Sequence, residues 1–246
     1  MKTMNDILCP LKTESLVEVF VQRFEKLILS GKLTIGQKLP SERELALQLE
    51  VSRPVVHEGL VELEHRGLVI MHPRIGTTVS DYRRNGSLTL LNSLVNYHIG
   101  TLEPSIFESL LELRKLFEIE NARLAAERRN DAHMDEFRKL LELEAASDPV
   151  QTSQITDLDF SFHHLIAIAS GNMIYPLLIN SFREVYTNLT SLFFQDTGVV
   201  STVFAFHIAF VEAIDCRNVK KAQMIMQQIL EHGENRLRAM FNAGNR

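Results

Sequence analysis

Along the N-terminal third the apolar positions change period, and each change marks an element. From Glu14 to Ser30, Val17, Phe20, Val21, Phe24, Leu27 and Ile28 recur on one stripe, which predicts an amphipathic helix stopped by Gly31. Gly36 and Pro40 force a turn. Ser41-Glu42-Arg43-Glu44 then reads as a capping box, opening a helix over Glu42 to Leu49 with Leu45, Ala46 and Leu49 inward. After Glu50-Val51, Ser52 is a second cap, followed by a helix from Arg53 to about Arg66 that ends at Gly67. Val56, Leu60 and Leu63 face its core side, so Arg53 and His57 point elsewhere. Leu68 to His72 and Thr77 to Val79 alternate as two strands around a Pro73-Arg74-Ile75-Gly76 turn.

The run Asp81 to Leu88, with a double Arg, Asn, Gly and Ser, reads as a linker. It divides a first domain at 1–80 from a second at 89–246. Helical spacing resumes at 88–96. It then recurs near 104–128, 131–147, 153–170, 174–195, 199–216 and 218–242, with breaks at Pro149, Gly171-Asn172, Gly198 and Asp215 to Asn218. The expected fold is mostly α: a helix-turn-helix with a small β-hairpin, then an all-α bundle able to hold a ligand in its core.

Composition narrows the classes. The chain has 246 residues, no Trp and two cysteines, Cys9 and Cys216, without a CxxC pair. Disulfide frameworks and cysteine zinc sites are excluded, and a reducing compartment fits. The longest apolar tract, Leu165 to Ile179, is interrupted by Ser170, Gly171, Asn172 and Pro176, so no membrane span is expected. The N-terminus lacks a secretory apolar region, and the expected location is cytoplasmic. Net charge is -5, unevenly spread: residues 1–84 hold 12 Lys+Arg against 11 Asp+Glu, and the remainder 14 against 20. A local basic face in the first domain is therefore compatible with an acidic whole.

Helix, short helix, turn, helix and hairpin form a winged helix-turn-helix pattern, in which the last helix enters the major groove and the hairpin lies along the backbone or minor groove. A small α/β domain with ordinary surface arginines fits the periodicity equally well. The run Gly31-x4-Gly36-x-Lys38-Leu39-Pro40-Ser41-Glu42-Arg43-Glu44-Leu45-Ala46-x4-Val51-Ser52-Arg53-x-x-Val56, then Leu60, Leu63 and Gly67-Leu68-Val69, resembles the GntR family of bacterial transcription regulators. The resemblance implies double-stranded DNA as partner, bound on a pseudo-palindromic operator by a homodimer. It places Arg43, Ser52, Arg53 and His57 on the DNA, with Arg74, Gly76 and Thr77 in the wing. Two positions depart from the family pattern: His57 where Arg is usual, and Glu50 where a left-handed turn usually has Gly.

In the second region Leu111-x-Leu113-Arg114, Glu118, Leu124-Ala125-Ala126, Asp159-x-x-Phe162-His163, Ser170-Gly171-Asn172, His207 and Ala213-Ile214 are similar to the FCD ligand-binding domain of the FadR subfamily. Asp159 and His163 are four apart and share a helix face. With His207 on a later helix among phenylalanines, they make a first-row metal site suited to Zn, Ni or Mn, or else a plain pair of neighbours. The resemblance implies one Asp and three His as ligands with open positions for a carboxylate effector. The fourth ligand falls at Ile229 here, and His232 lies about 4.5 Å further along and about 60° around the helix. Arg114 is either paired with Glu118 or a fork for the effector's carboxylate. Asn172 either caps the next helix or lines the pocket. The stretch Asp159 to Tyr186 also resembles the branch that binds fatty acyl-CoA without a metal, which makes acyl-CoA the alternative effector.

A metal-dependent enzyme and a structural adaptor are the contrasting classes. No nucleophile elbow, phosphate loop or spaced general base accompanies the cluster, and an adaptor leaves Arg43 and Arg53 unexplained. The sequence predicts a transcriptional repressor rather than an enzyme.

Overall fold

The computed structural model describes residues 15–87, 90 and 104–244. Two compact units separate at Met1–Tyr97 and His98–Arg246. The helix expected at 88–96 lies outside the described residues, apart from Leu90.

In the first unit α1 spans Leu16–Leu29, α2 Glu42–Leu49 and α3 Arg53–His65, followed by strands β1 (Val69–His72) and β2 (Gly76–Val79). The stripe on α1 buries Phe20, Val21, Phe24 and Ile28 against Leu45, Val56, Leu60, Leu63, Leu68 and Val79. Ser41 and Glu44 close both bonds of the capping box, Glu44 N–H to Ser41 Oγ at 3.3 Å and Ser41 N–H to Glu44 Oε2 at 2.8 Å. These hydrogen bonds hold the Glu44 carboxyl below its ordinary range. Glu50 adopts the left-handed conformation expected of it, with φ 56° and ψ 38°, at a cost that Gly would not incur. Ser52 sits at the cap position of α3, but its hydroxyl makes no capping bond.

The wing is antiparallel, with Val69 opposite Val79 and His72 opposite Gly76. Lys38 bridges to Thr78 along its outer edge. The stretch expected as a linker instead begins with one helical turn, α4 (Tyr82–Asn85). It is held on this unit by Asn85 Nδ2 donating to Ser80 Oγ at 2.8 Å. Gly67 permits the approach: with φ +77°, its α-hydrogen faces the Asn85 carbonyl, where a Cβ would stand 2.0 Å from the oxygen.

The second unit contains α5 (Pro104–Arg128), α6 (Asp131–Ala146), α7 (Thr152–Ala169), α8 (Tyr175–Ser181), α9 (Arg183–Phe193), a short 3-10 turn at Thr197–Val199, α10 (Val200–Asp215) and α11 (Val219–Gly244). The single helix expected over 174–195 is broken at Phe182. α5 packs along α11 and α7, and α6 packs on α7 and α10. Ala122, Ala125, Phe137, Phe162, Phe210, Ile214 and Met226 fill the core between them.

Thr197–Asp215 is long and apolar enough to cross a membrane by length and composition alone. Its apolarity has a local cause. Val203, His207, Phe210, Val211, Ala213 and Ile214 of α10 are buried in the bundle, as a core helix requires.

Candidate functional site

The first unit presents cationic side chains on one set of elements. Arg43 on α2 and Arg53 and His57 on α3 are exposed, while Val56 and Leu60 on the opposite face of α3 are fully buried. His57 Nδ1 lies 2.8 Å from Glu42 Oε1, so the position usually held by Arg carries an imidazole anchored to the first turn of α2. At the wing tip Arg74 takes φ 66° and is exposed beside Ile75. Gly76, at φ +118°, lets Lys38 lie close, 3.1 Å from where a Cβ would stand. Thr77 differs from expectation. Strand alternation that buries Val79 also buries Thr77 at 7% exposure, so its side chain faces the domain instead of a ligand. A buried recognition helix bearing exposed Arg, with a basic wing, suits a major-groove contact with phosphate anchoring.

The second unit buries a charged network where five helices meet. Asp159 and His163 project from one face of α7, and His207 projects from α10. Their ligand atoms lie within 4.8 Å of one another, and all three residues are buried. His207 is fully buried, stacked on Phe162 with ring centroids 3.7 Å apart. Its Nδ1 meets Glu144 Oε1 of α6 at 2.7 Å. His163 Nδ1 meets Glu118 Oε2 of α5. With each Nδ1 against a carboxylate, each ring turns its Nε2 the other way. Both Nε2 atoms then face Asp159 Oδ1, His207 at 3.7 Å and His163 at 4.0 Å, and neither has a hydrogen-bond partner among the described residues.

The other Asp159 oxygen is already held, because Tyr186 of α9 donates its hydroxyl to Oδ2 at 2.7 Å. Arg114 links the two ends of the network. Its Nε donates to Glu118 Oε1 at 2.6 Å, its terminal nitrogen to the Tyr186 oxygen at 3.1 Å, and its guanidinium lies over the Tyr186 ring. Burial would raise the Glu118 carboxyl, but His163 and Arg114 beside it win and lower it to about 2. Burial drives the Tyr186 hydroxyl well above its ordinary value; Asp159 and Glu118 add to this, and Arg114 opposes it. Tyr186 is therefore a donor to Asp159 at neutral pH.

This arrangement passes a chemical test for a cation. Two buried imidazole nitrogens without hydrogen-bond partners among the described residues converge on a carboxylate oxygen, and carboxylates orient both rings from behind. Bonds of about 2.0–2.2 Å to zinc place adjacent ligand atoms about 3–3.5 Å apart. The observed 3.7 and 4.0 Å separations are within a small side-chain adjustment of that span. His232 does not join the group. Its ring meets Phe193 and Phe206 edge-on, with centroids at 5.7 and 6.1 Å, because α11 turns this residue toward α9 and α10 aromatics.

Arg114 is thus paired with Glu118, the first of its two sequence readings. Asn172 acts locally: its Oδ1 accepts from Ile174 N–H at 2.8 Å, just before α8. His164, the next residue after His163, is half-buried and stacked on Phe160. Glu144, Tyr186 and Asn121 escaped the sequence reading. Glu144 carried a signal, since it lies two turns beyond Phe137 on the buried face of α6, where a carboxylate needs a partner. No comparable signal marks Tyr186.

Residues 11–79 match the bacterial regulatory proteins of the gntR family, and residues 109–232 match the FCD domain. The HTH-type transcriptional regulator Mce2R of Mycobacterium tuberculosis is 36% identical over 179 residues, 72% of each chain. The Glc operon transcriptional activator of Escherichia coli is 30% identical over 185 residues, 72% of this chain and 71% of its own. A solved structure titled for Lar, which controls expression of the Listeria monocytogenes agr system, has a TM-score of 0.62 at 14% identity, covering 93% of this chain and 99% of that one; it shares the fold. The chain belongs to the gntR family of bacterial regulatory proteins and carries an FCD domain, which makes it a DNA-binding transcriptional regulator with an effector-binding domain, and not an enzyme.

Proposed function

We propose that this regulator is a cytoplasmic repressor of the FadR subfamily. A homodimer would hold a pseudo-palindromic operator through Arg43, Arg53, His57 and the wing at Arg74 and Gly76. A small carboxylate bound in the helical domain through a divalent transition metal would release it. One observation carries the effector reading: the Nε2 atoms of His163 and His207, buried and unpartnered, converge on Asp159 Oδ1. A buried lone pair without a partner is costly, so a core that keeps two of them aimed at a carboxylate is shaped for a cation. Zinc, nickel or manganese suits this mixed nitrogen and oxygen set better than magnesium. When bound, the metal supplies a positive centre with open positions for an anionic ligand.

The chain's own residues do the rest. Glu118 and Glu144 fix the ring tautomers, Tyr186 holds the second Asp159 oxygen, and Arg114 keeps Tyr186 and Glu118 in register. So many charged groups in the core favour a carboxylate over a long acyl chain. The Glc operon relative is named an activator, so the sign of regulation is read separately, from a reporter gene placed behind the operator.

Native mass spectrometry of the full chain as purified from cells is the test. A dimer retaining one metal per chain supports the proposal, and metal lost together with His163 confirms the ligand set. A metal-free chain whose melting temperature ignores both chelator and added zinc overturns the metal reading.

A further inference from the structure

Asn121 stands out in the core of α5. It is 1% exposed, and neither its amide nitrogen nor its amide oxygen has a hydrogen-bond partner among the described residues. Leaving both ends of a carboxamide buried and unsatisfied is destabilising, and an apolar residue of the same shape would fit a purely structural role better. Its place on the helix explains what the amide is near. At about 100° per residue, Arg114, Glu118, Asn121 and Ala125 fall within a strip about 60° wide. Asn121 sits about 4.5 Å along the axis beyond Glu118, the residue whose carboxylate touches His163. The neighbouring small residues Ala122 and Ala125 are fully buried on the same side of the helix. An unused donor and an unused acceptor therefore lie one helical turn from Glu118, the carboxylate that meets His163.

We propose that Asn121 recognises a polar substituent on the effector, so that the ligand is a carboxylate bearing a hydroxyl or carboxamide group. This rests on the effector reading of the helical domain above. A carboxamide offers one acceptor and two donors. A hydroxyl or a second amide answers both at once, whereas an unsubstituted acyl chain answers neither. A site with buried polar groups rejects analogues that lack the complementary group, because binding them leaves those groups unpaired.

Butyrate, its monohydroxy isomers and glutaramate serve as probes on the full-length protein, with zinc alone as a separate arm. Affinity is read by titration calorimetry and melting temperature by scanning calorimetry. The parent should bind at least one hydroxy or amide probe about tenfold or more tightly than butyrate, one well-formed hydrogen bond's worth of discrimination. In Asn121→Ala that preference should fall to within about twofold, with the zinc response unchanged. Asn121→Leu should melt at or above the parent without ligand, since it removes unsatisfied polar atoms while keeping the shape.

Three results overturn the inference: a parent that does not favour any substituted probe over butyrate, a preference that survives in Asn121→Ala, or an Asn121→Leu chain that melts below the parent, as expected if buried water satisfies the amide. Should the Leu variant fail to fold, the Ala variant's preference decides. A parent indifferent to zinc that still prefers a substituted probe, with the preference lost in Asn121→Ala, refutes the metal reading alone.

Discussion

Glu144 makes the sharpest test of how the buried network is organised. Its Oε1 meets His207 Nδ1 at 2.7 Å with both side chains buried, and its Oε2 has no partner among the described residues. In Glu144→Gln the shape is kept and the carboxylate is lost. Two costs follow, and they differ in size. Without metal, the His207 ring can still share one bond with the amide, so the loss is that of weakening a single buried hydrogen bond, about 1 kcal/mol. For a unit of this size that lowers the melting temperature by about 2–4 °C. With metal, the carboxylate behind the imidazole raises its basicity and fixes its tautomer; removing such a partner typically weakens binding by about 10–100-fold, or about 1.4–2.7 kcal/mol. A competitive zinc titration against a chromophoric chelator reads the second effect, and metal-free calorimetry reads the first. A Glu144→Gln protein that binds zinc as tightly as the parent would refute the reasoning, because His207 would then not be a ligand oriented from behind.

The DNA-binding unit yields further expectations. Arg53→Ala should weaken binding to a selected operator by about 1–3 kcal/mol if Arg53 contacts a guanine edge, yet change binding to random duplex by little more than one lost charge; a gel-shift series on both DNAs checks this. His57→Arg should strengthen binding to both, as a permanent charge replaces the imidazole anchored on Glu42; equal affinities would place His57 off the DNA. Ser41→Ala breaks the capping box of α2 and should cost about 1 kcal/mol in urea unfolding. Glu50→Gly relieves the left-handed residue at φ 56° and should raise the melting temperature, a gain that the strain argument cannot survive without.

Much of this was legible along the chain because the relevant signals are local. The α1 stripe, the Ser41–Glu44 box and the Pro73 to Gly76 turn each lie within a few residues, and each fixes its own backbone. Strand alternation is equally readable, yet the resemblance that counts Thr77 of the wing among the DNA-binding residues overlooks it, since the face that buries Val79 also turns Thr77 inward. The break at Phe182 has no Gly or Pro to announce it, so α8 and α9 read as one helix. In the bundle the face of α7 bearing Asp159 and His163 was visible from spacing alone. Its partners were not, since Glu118, Glu144 and Tyr186 arrive from three other helices and only tertiary packing unites them. His232 shows the converse. Nearness in sequence to Ile229 suggested a ligand, but helix rotation sends its ring toward Phe193 and Phe206.

In the proposed function, a ligand bound at the Asp159, His163 and His207 cluster governs the grip of the winged helix on DNA. The most direct test is the affinity of the full chain for an operator selected from random duplex, measured by fluorescence anisotropy between about 50 and 200 mM salt. Parent and His163→Ala are titrated side by side, with and without zinc and the tightest-binding carboxylate probe. Both proteins should bind the operator with a steep loss of affinity as salt rises, while only the parent should change affinity by at least about fivefold when metal and acid are added. Salt-insensitive binding, or an identical response from His163→Ala, would contradict the claim.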